Sequence, residues 1–538
     1  MAGMNTKRTG TKPDKNTTLN HEGMVVHKLN ALEELFNRVM GSFMGENGFY
    51  DKTDPEKDFD RIKELAAQVS AEDKEYILKI AAIGRASGMF SYPLAVLTAC
   101  FNMDDFKGEG FQDENGRNKL AYYTDLIVTR GRDITDILSM QINCYGFDSN
   151  GKKRSMPLPV QERKNLKRKL EEFDEYKISK ALGKTKVVSM ADAVKLLHPA
   201  NKNEFFSDVI RGRVKFANGK KQVQSEITKV NNTNSTSTKK DLKESIAGSS
   251  ISAIIKNLVG LLKKDAIDDE VCSIIVGKLS SPEAVRRSKV MPYEVYAAYK
   301  MFPRQDKNCI QISDALIKAL DASVDNVDSI EGYTAFFVDL SGSMSQPMSG
   351  KSSTQCREMA ALLCAMAVKK SNAKVFVFAD RCKEVNVSAT STVIDIMKNI
   401  LSQNVGGSTY LNAALKTVSK LGEKFDNVII LSDGDAYNSG RGHFRLSGGW
   451  MDNDTCDAMC SKLINSGVFK RFFINDLHAR DFAIFNTDDY RKNLVTGFTE
   501  RYIDEINFSI MLQRESSDIR KLIDILFDKY FPRERKKR

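Results

Sequence analysis

Apolar residues recur at helical spacing across residues 54–302, where roughly ten amphipathic segments follow one another without a convincing alternating strand. Ser70 and Asp73 have the spacing of a capping box. They precede four apolar residues that share one helical face: Tyr76, Ile77, Ile80 and Ala81. Pro282 and Pro292 stand where the first turn of a helix tolerates proline. Serial helices of this kind predict an α-solenoid of helix pairs.

The pattern changes to alternating strands and helices from Tyr333 onward. Strands are predicted near residues 335–340, 374–379, 428–432 and 471–475. Helices are predicted near residues 355–370, 393–401, 411–421 and 455–465. This alternation predicts a parallel, doubly wound sheet. One last long helical stretch is predicted over residues 503–530, before a basic end.

The length and composition describe a soluble globular protein. A chain of 538 residues exceeds what a single hydrophobic core supports, so about two or three domains are expected. It contains no apolar run of about 18 residues, so no membrane-spanning segment is predicted. Residues 1–20 lack the apolar stretch of a secretory signal and are predicted to be a disordered tail. Residues 215–240 are polar and rich in Asn, Ser and Thr, which predicts a flexible insertion.

Cysteine usage indicates the redox compartment of the protein, and its charge indicates the class of partner. The nine cysteines form an odd, scattered set, which favours reduced thiols in the cytoplasm over disulfides or a zinc site. The net charge is +11, of which about +4 belongs to residues 331–538, so about +7 lies on the amino-terminal part. An excess of positive charge on one module indicates an anionic partner, nucleic acid first among them. A generally basic cytoplasmic protein is the alternative.

Three loops rich in oxygen donors each follow a predicted strand or precede a predicted helix. Asp339, Ser341 and Ser343 end the first strand, residues 405–409 (VGGST) form a glycine-rich loop, and Asp433 ends a later strand. Ligands bind at the carboxyl ends of the strands in such sheets, and Mg²⁺ prefers oxygen donors. A turn capped by serines is the alternative for the first loop alone. These loops contain no His or Cys to act as base or nucleophile, which favours a binding site over an enzyme.

Together the three loops resemble the metal-ion-dependent adhesion site of von Willebrand factor A domains. The resemblance implies that one Mg²⁺, or another divalent cation, is held by five residues: Asp339, Ser341, Ser343, Thr409 and Asp433. Thr409 is preferred to Ser408 because its spacing from Leu411 matches the family better. The site is expected to attract an acidic group from a partner.

Basic residues cluster on a predicted helix and just beyond it. The cluster comprises Arg163, Lys164, Lys167, Arg168, Lys169, Lys177, Lys180, Lys184 and Lys186. Like charges at i,i+4 repel by a few tenths of a kcal/mol per pair, so such a helix often faces an anion. Contact with RNA phosphates is therefore predicted, and a solvated face is the alternative. His198, before Pro199, is predicted to cap a helix end, with RNA contact as its alternative role.

Residues 166–199 and 251–302 resemble the TROVE module of the Ro 60 kDa autoantigen family, and residues 482–508 resemble the closing segment of the Ro fold. The resemblance runs from about residue 29 to residue 508. It identifies the chain as similar to bacterial or phage-type Ro homologues. The implied α + α/β fold is a HEAT-like helical-repeat ring (an α-solenoid) followed by a doubly wound von Willebrand A domain. The expected domains are residues 21–325 and 330–510, with a carboxy-terminal helix and basic tail at 511–538.

The family resemblance also implies a function. Non-coding, Y-like RNA is expected on the basic outer surface, and single-stranded 3′ ends of misfolded RNA in the central ring. The implied role is chaperone-like RNA quality control with an exoribonuclease partner and without catalysis by this chain, which we expect to be a monomer. Residues 189–192 (SMAD) replace a histidine-containing segment of Ro proteins and so alter the expected Y RNA contact. The alternative is a Mg²⁺-dependent protein-interaction scaffold without RNA function.

Overall fold

The computed structural model describes residues 14–19, 25–41, 55–145, 158–182, 187–200, 204–214, 239–348, 352–434, 456–478, 481–497, 501–512 and 518–532. The chain forms two compact units. The first, called the helical unit, contains Leu29–Gly219 and Asp518–Arg538. The second, called the sheet unit, contains Met1–Lys28 and Lys220–Ser517. The division therefore falls near residue 220 and not near residue 325, where the sequence placed a domain boundary.

The helical unit consists of short amphipathic helices that pack in series. Its α-helices are Ala31–Gly41, Pro55–Gln68, Lys74–Ala86, Ser91–Asn102, Lys119–Ile127, Gly131–Tyr145, Val160–Glu172, Glu175–Ser179, Met190–Leu197, Phe205–Arg211 and Ile519–Tyr530. Helix Lys74–Ala86 packs against the next helix along the chain, Ser91–Asn102, and against the one after it, Lys119–Ile127. Packing between neighbours along the chain is the arrangement of a helical-repeat protein, as predicted.

The predicted capping box at Ser70 does not form. Helix Lys74–Ala86 is preceded by a 3₁₀ turn, Ala71–Asp73. The Ser70 hydroxyl donates to the Asp73 carboxylate (3.0 Å) and makes no bond with a backbone N–H of the helix. The Ser70 hydroxyl is bonded to the Asp73 carboxylate and does not cap the helix, which therefore begins after the 3₁₀ turn.

The predicted helical stretch 503–530 is two helices, Arg501–Leu512 and Ile519–Tyr530, which belong to different units. The second lies on helix Lys74–Ala86 of the helical unit, where the Asp524 carboxylate accepts from Tyr76 Oη (2.9 Å) and Lys79 Nζ (2.6 Å). Residues about 445 positions apart in sequence are thereby joined. Local periodicity does not reveal such a long-range contact.

The sheet unit contains all the strands among the described residues. They are β1 (Thr17–Leu19), β2 (Val25–Lys28), β3 (Thr334–Asp339), β4 (Ala373–Phe378), β5 (Cys382–Val385), β6 (Phe425–Ser432), β7 (Phe469–Asp476), β8 (Phe482–Ala483) and β9 (Lys492–Thr496). Its helices are Lys239–Gly248, Ile251–Lys263, Asp269–Leu279, Pro282–Ser288, Pro292–Met301, Lys307–Ser323, Cys356–Lys370, Val393–Leu401, Leu411–Lys420, Cys456–Asn465 and Arg501–Leu512. Pro282 and Pro292 stand in the first turns of their helices, as predicted.

The main sheet has six strands in the order β5-β4-β3-β6-β7-β9, and all neighbours are parallel except the edge pair β4–β5. All six residues of central strand β3 are buried, which explains its nearly continuous apolar sequence. The four strands predicted from apolar runs are β3, β4, β6 and β7, so the doubly wound prediction is confirmed. Edge strands β5 (CKEV) and β9 (KNLVT) escaped prediction because they are short and partly polar.

A second, small sheet corrects the prediction of a disordered tail for residues 14–19, while residues 1–13 and 20 lie outside the described residues. Strand β1 pairs antiparallel with β2, and β2 pairs antiparallel with β8. The three residues of β1, Thr17–Leu19, carry no alternating pattern of their own. They are ordered because the neighbouring strand satisfies their backbone groups, a contact that composition does not encode.

One hydrophobic cluster extends through the sheet unit. It includes Leu242 and Leu316 from the helices that precede the sheet, Val338 of β3, and Leu362 and Ile506 from the later helices. A shared core explains why the helices of residues 239–323 group with the sheet. No helix of the described ranges is long and apolar enough to cross a membrane.

Candidate metal site and basic helix

Two acidic residues meet at one edge of the main sheet. Asp339 is the last residue of β3, and Asp433 directly follows β6. Strands β3 and β6 are parallel neighbours, so their carboxyl ends lie side by side. Both side chains are completely buried. This edge is where ligands bind in open α/β sheets.

Asp339 is held in place by hydrogen bonds. Its Oδ1 accepts from the backbone N–H of Ser341 (2.8 Å), and its Oδ2 accepts from the Ser432 hydroxyl (2.7 Å). Burial, with the nearby Asp433 charge, raises the pKa of Asp339 to about 7 in spite of these bonds. A buried carboxylate whose ionisation is opposed by burial and by a second acidic side chain is an arrangement that a cation would stabilise.

The glycine-rich loop joins the same edge through backbone contacts. Gly342 N–H donates to Gly407 C=O (2.8 Å), which links the first loop to the second. The Asp380 carboxylate, just after β4, accepts from the N–H groups of Gly407 and Ser408 (3.0 Å each). Thr409 is buried and Ser408 is exposed.

Asp380 and Ser432 are the contributors to this edge that sequence reasoning missed. Burial opposes ionisation of Asp380, yet its hydrogen bonds from Gly407 and Ser408 lower its pKa. A signal was present, because Asp380 directly follows a predicted strand in the same way as Asp433 does. Ser432 was included in a predicted strand and was not considered as a partner of Asp339.

Replacing Gly406 by alanine should destabilise the sheet unit by at least about 2 kcal/mol. Gly406 has φ +106°, and an added Cβ would lie 2.6 Å from the Asp380 Cβ and closer still to its carboxylate. Gly407→Ala is the matched control, because an added Cβ there meets nothing within 4 Å. Urea unfolding of both variants measures the difference. Equal stabilities would show that Asp380 does not constrain this loop.

The donor set fits a hard cation. Among the described residues there is no cluster of three or more His, Cys, Asp or Glu that could hold a metal. This edge instead combines two carboxylates with hydroxyls, and the hydroxyl oxygens of Ser341 and Ser343 are 3.2 Å apart. Mg²⁺ accepts one or two carboxylates together with other oxygens and water. Asp339, Ser341, Ser343, Thr409 and Asp433 could therefore hold it.

The predicted basic residues on helix Val160–Glu172 have different surroundings. Arg163 and Lys164 are exposed, and neither has an ion pair with any other described residue. Lys167 lies 4.0 Å from Glu171. Arg168 instead fastens the helix to its neighbour, because it contacts Asp125 (2.8 Å) and Glu172 (2.7 Å) and donates to Ala121 C=O (3.2 Å). Lys184 and Lys186 lie outside the described residues.

The segment around His198 is organised by helix capping. His198 ends helix Met190–Leu197 in a left-handed conformation (φ +48°), and its N–H donates to Val194 C=O (3.1 Å). Ser189 and Asp192 form a reciprocal capping box at the start of that helix, which lowers the pKa of Asp192. The SMAD segment thus starts a helix, and His198 has the predicted capping geometry.

The fold defines a class of protein, in which helical repeats are combined with a doubly wound sheet of the von Willebrand factor A type. Residues 334–445 match the family model described as the Ro60 vWA domain. The crystal structure of the Ro (RSR) protein of Deinococcus radiodurans is similar to this chain, with a TM-score of 0.61 and 14% sequence identity. The similarity covers 88% of this chain and 99% of the Deinococcus chain. Residues 334–445 thus resemble a Ro60-type A domain, and the fold of the chain is similar to that of this bacterial Ro protein.

The other comparisons add no argument. Proximal thread matrix protein 1 of the mussel byssus is 16% identical, with 41% of this chain and 52% of its own covered, but its TM-score is only 0.21. No curated protein sequence matches the chain. The predicted two-part fold class is thus confirmed by the Deinococcus structure, and the predicted resemblance to the Ro family is supported over residues 334–445 by the A-domain match.

Proposed function

We propose that this protein is a Ro-type, chaperone-like scaffold that binds RNA. Its ligands are non-coding, Y-like RNA, held by exposed cations, and the single-stranded 3′ ends of misfolded RNA, which a partner exoribonuclease would then degrade. The protein acts in the cytoplasm as a monomer and has no catalytic activity of its own. The observation that carries the proposal is the combination of a Ro60-type A domain with helical repeats that present exposed cations.

Helix Val160–Glu172 supports the RNA contact in a specific way. Arg168 is occupied by acidic neighbours, whereas Arg163 and Lys164 project from the opposite end of the helix into solvent. Lys177 and Lys180, just beyond the helix, are also exposed. Exposed cations are available to phosphates, which give affinity without sequence preference.

The experiment that tests the function is isolation of the protein from its own cells, followed by extraction and sequencing of nucleic acid. RNase-sensitive, structured non-coding RNA in the preparation supports the proposal. A stoichiometric protein without RNA would favour the Mg²⁺-dependent protein scaffold instead.

Replacing Arg163 and Lys164 together by glutamine should lower the slope of log affinity against log salt by about 1.4 to 1.8, at about 0.7 to 0.9 per lost phosphate contact. Affinity should fall for all RNAs alike. The matched control is Lys420→Gln with Lys424→Gln, which removes the same charge from exposed positions of the sheet unit. A slope that changes equally in both double variants would show that only net charge matters, and an unchanged slope would show a solvated face.

We also propose that the sheet edge binds Mg²⁺ through Asp339, Ser341, Ser343, Thr409 and Asp433. When bound, the cation supplies an open coordination position for an acidic group of a partner. The residues of the chain orient it: Ser432 and the Ser341 N–H fix Asp339, and Asp380 fixes the loop that carries Thr409. This metal site and the basic helix act independently.

A further inference from the structure

A cluster in the helical unit combines an exposed aromatic ring with two arginines. Phe90, just before helix Ser91–Asn102, leaves 42% of its surface exposed. The guanidinium carbon of Arg130 lies 3.9 Å from the centroid of the Phe90 ring, and that of Arg85 lies 4.6 Å from it. We call Phe90, Arg85 and Arg130 the stacking cluster.

One buried carboxylate, that of Asp133, binds both arginines of the stacking cluster. Asp133 Oδ2 accepts from Arg85 Nη2 (2.5 Å) and from the backbone N–H of Arg130 (2.9 Å). Asp133 Oδ1 accepts from Arg130 Nε (3.1 Å) and Nη2 (3.0 Å). The Thr129 hydroxyl accepts a second bond from Arg85 Nη2 (2.8 Å). Both guanidinium groups are therefore oriented before any ligand arrives, which reduces the entropy that binding must overcome.

Two properties of the arginines point to a ligand. Arg85 is buried, and its Nη1 has no hydrogen-bond partner within the described part of the chain. Burial lowers the pKa of Arg85 although Asp133 opposes this effect. Arg130 is the outer member, with 47% of its side chain exposed, and a guanidinium presents a flat face on which a ring can stack. The unsatisfied buried donor of Arg85 requires a hydrogen-bond acceptor. The flat, exposed guanidinium of Arg130 favours a ligand that is aromatic or anionic.

We propose that the stacking cluster binds one unpaired nucleotide of single-stranded RNA. The base stacks on the Arg130–Phe90 pair, and the adjacent phosphate accepts hydrogen bonds from Arg130 and from Arg85 Nη1, which is reached after a small movement of the Phe90 ring. The inference rests on the proposed RNA-binding function and identifies where an unpaired residue of the RNA is held. An acidic peptide would satisfy the arginines but would make no use of the exposed ring.

The test measures binding of a short, unstructured oligouridylate that carries one 2-aminopurine, a fluorescent base that is quenched when it stacks. Phe90→Ala should weaken binding about tenfold or more and remove the quenching, because base–aromatic stacking contributes that much per base. The salt slope should stay unchanged, since no charge is removed. Arg130→Lys keeps the charge but loses the flat guanidinium and should weaken binding and reduce the quenching. Tyr490→Ala, at a residue of similar exposure (45%) in the sheet unit, is the control and should bind like the parent.

The outcomes separate this inference from the function on which it rests. If the parent binds no single-stranded RNA at moderate salt, the proposed function itself is wrong. If the parent binds but Phe90→Ala and Arg130→Lys bind and quench as it does, the stacking cluster is not a site, and the RNA function stands. Displacement of the RNA by oligoglutamate with equal efficiency in parent and Phe90→Ala would also overturn the inference. Thermal unfolding shows whether both variants are folded. If Phe90→Ala does not fold, the binding and quenching of Arg130→Lys alone test the inference.

Discussion

Asp339→Asn should no longer bind Mg²⁺ and, in the presence of a chelator at pH 8, should be more stable than the parent. The parent buries two carboxylates at the ends of β3 and β6, and the raised pKa of Asp339 reflects the resulting cost. Asparagine has nearly the same shape and carries no charge. The variant therefore loses the ligand that a cation requires and also loses the penalty for burying its charge.

The direction of the pH dependence follows from the two states. The pKa of Asp339 is about 7 in the folded protein, against an ordinary value of 3.8. Between these pH values the unfolded chain has released its proton and the folded chain has kept it, so the parent loses stability as pH rises from about 4 to 7. Above pH 7 the difference is constant. The advantage of Asp339→Asn at pH 8 over pH 4 should reach about 3–4 kcal/mol, at about 1.36 kcal/mol per pKa unit.

Calorimetric titration with Mg²⁺ and urea unfolding in chelator measure the two effects. Asp328→Asn, at an exposed carboxylate of the same unit, is the control and should behave as the parent in both. Mg²⁺ should raise the melting temperature of the parent and of this control at pH 8, and leave Asp339→Asn unchanged. A Mg²⁺ response that survives in Asp339→Asn would refute the metal assignment, whatever its stability.

Glu162→Gln should stabilise the helical unit at alkaline pH. Glu162 lies in the first turn of helix Val160–Glu172, is completely buried, and neither carboxyl oxygen has a hydrogen-bond partner in the described ranges. Burial raises its pKa from 4.5 to about 8. As for Asp339, the folded state keeps the proton while the unfolded state releases it, so stability falls as pH rises from 4.5 to 8.

The variant should exceed the parent by about 3–4 kcal/mol more at pH 9 than at pH 5, as judged from urea unfolding at both values. Glu175→Gln, at an exposed position of the following helix, should show no such dependence. If the difference in free energy of unfolding between the parent and Glu162→Gln is the same at both pH values, Glu162 ionises freely in the folded protein.

The sequence predicted the parts of the fold where burial leaves a strong local trace. Strands β3, β4, β6 and β7 lie inside the sheet and need apolar side chains on both faces, so they stand out as apolar runs. Ligand-bearing loops follow such strands directly. Asp339 and Asp433 could therefore be placed at one edge before their burial was known.

The same reasoning could not find features that depend on partners far away in the chain. Strand β1 is ordered by pairing with β2, and Ile519–Tyr530 is placed by contacts of Asp524 with Tyr76 and Lys79. Asp380 acts through backbone groups of a loop about 27 residues later. Periodicity reveals none of these contacts, because each joins residues that are far apart in the chain.

The basic helix shows most clearly what each level decides. The sequence by itself determined that Val160–Glu172 is a helix rich in positive charge, because helical spacing and residue type are local properties. Only the tertiary structure decided which charges are available, since Asp125 of another helix neutralises Arg168 and leaves Arg163 and Lys164 in solvent. In the same way, the carboxylate of Asp133 aligns Arg85 with Arg130 across 45 positions of sequence. Charge is a property of residues, but its availability depends on distances that only the packed chain sets.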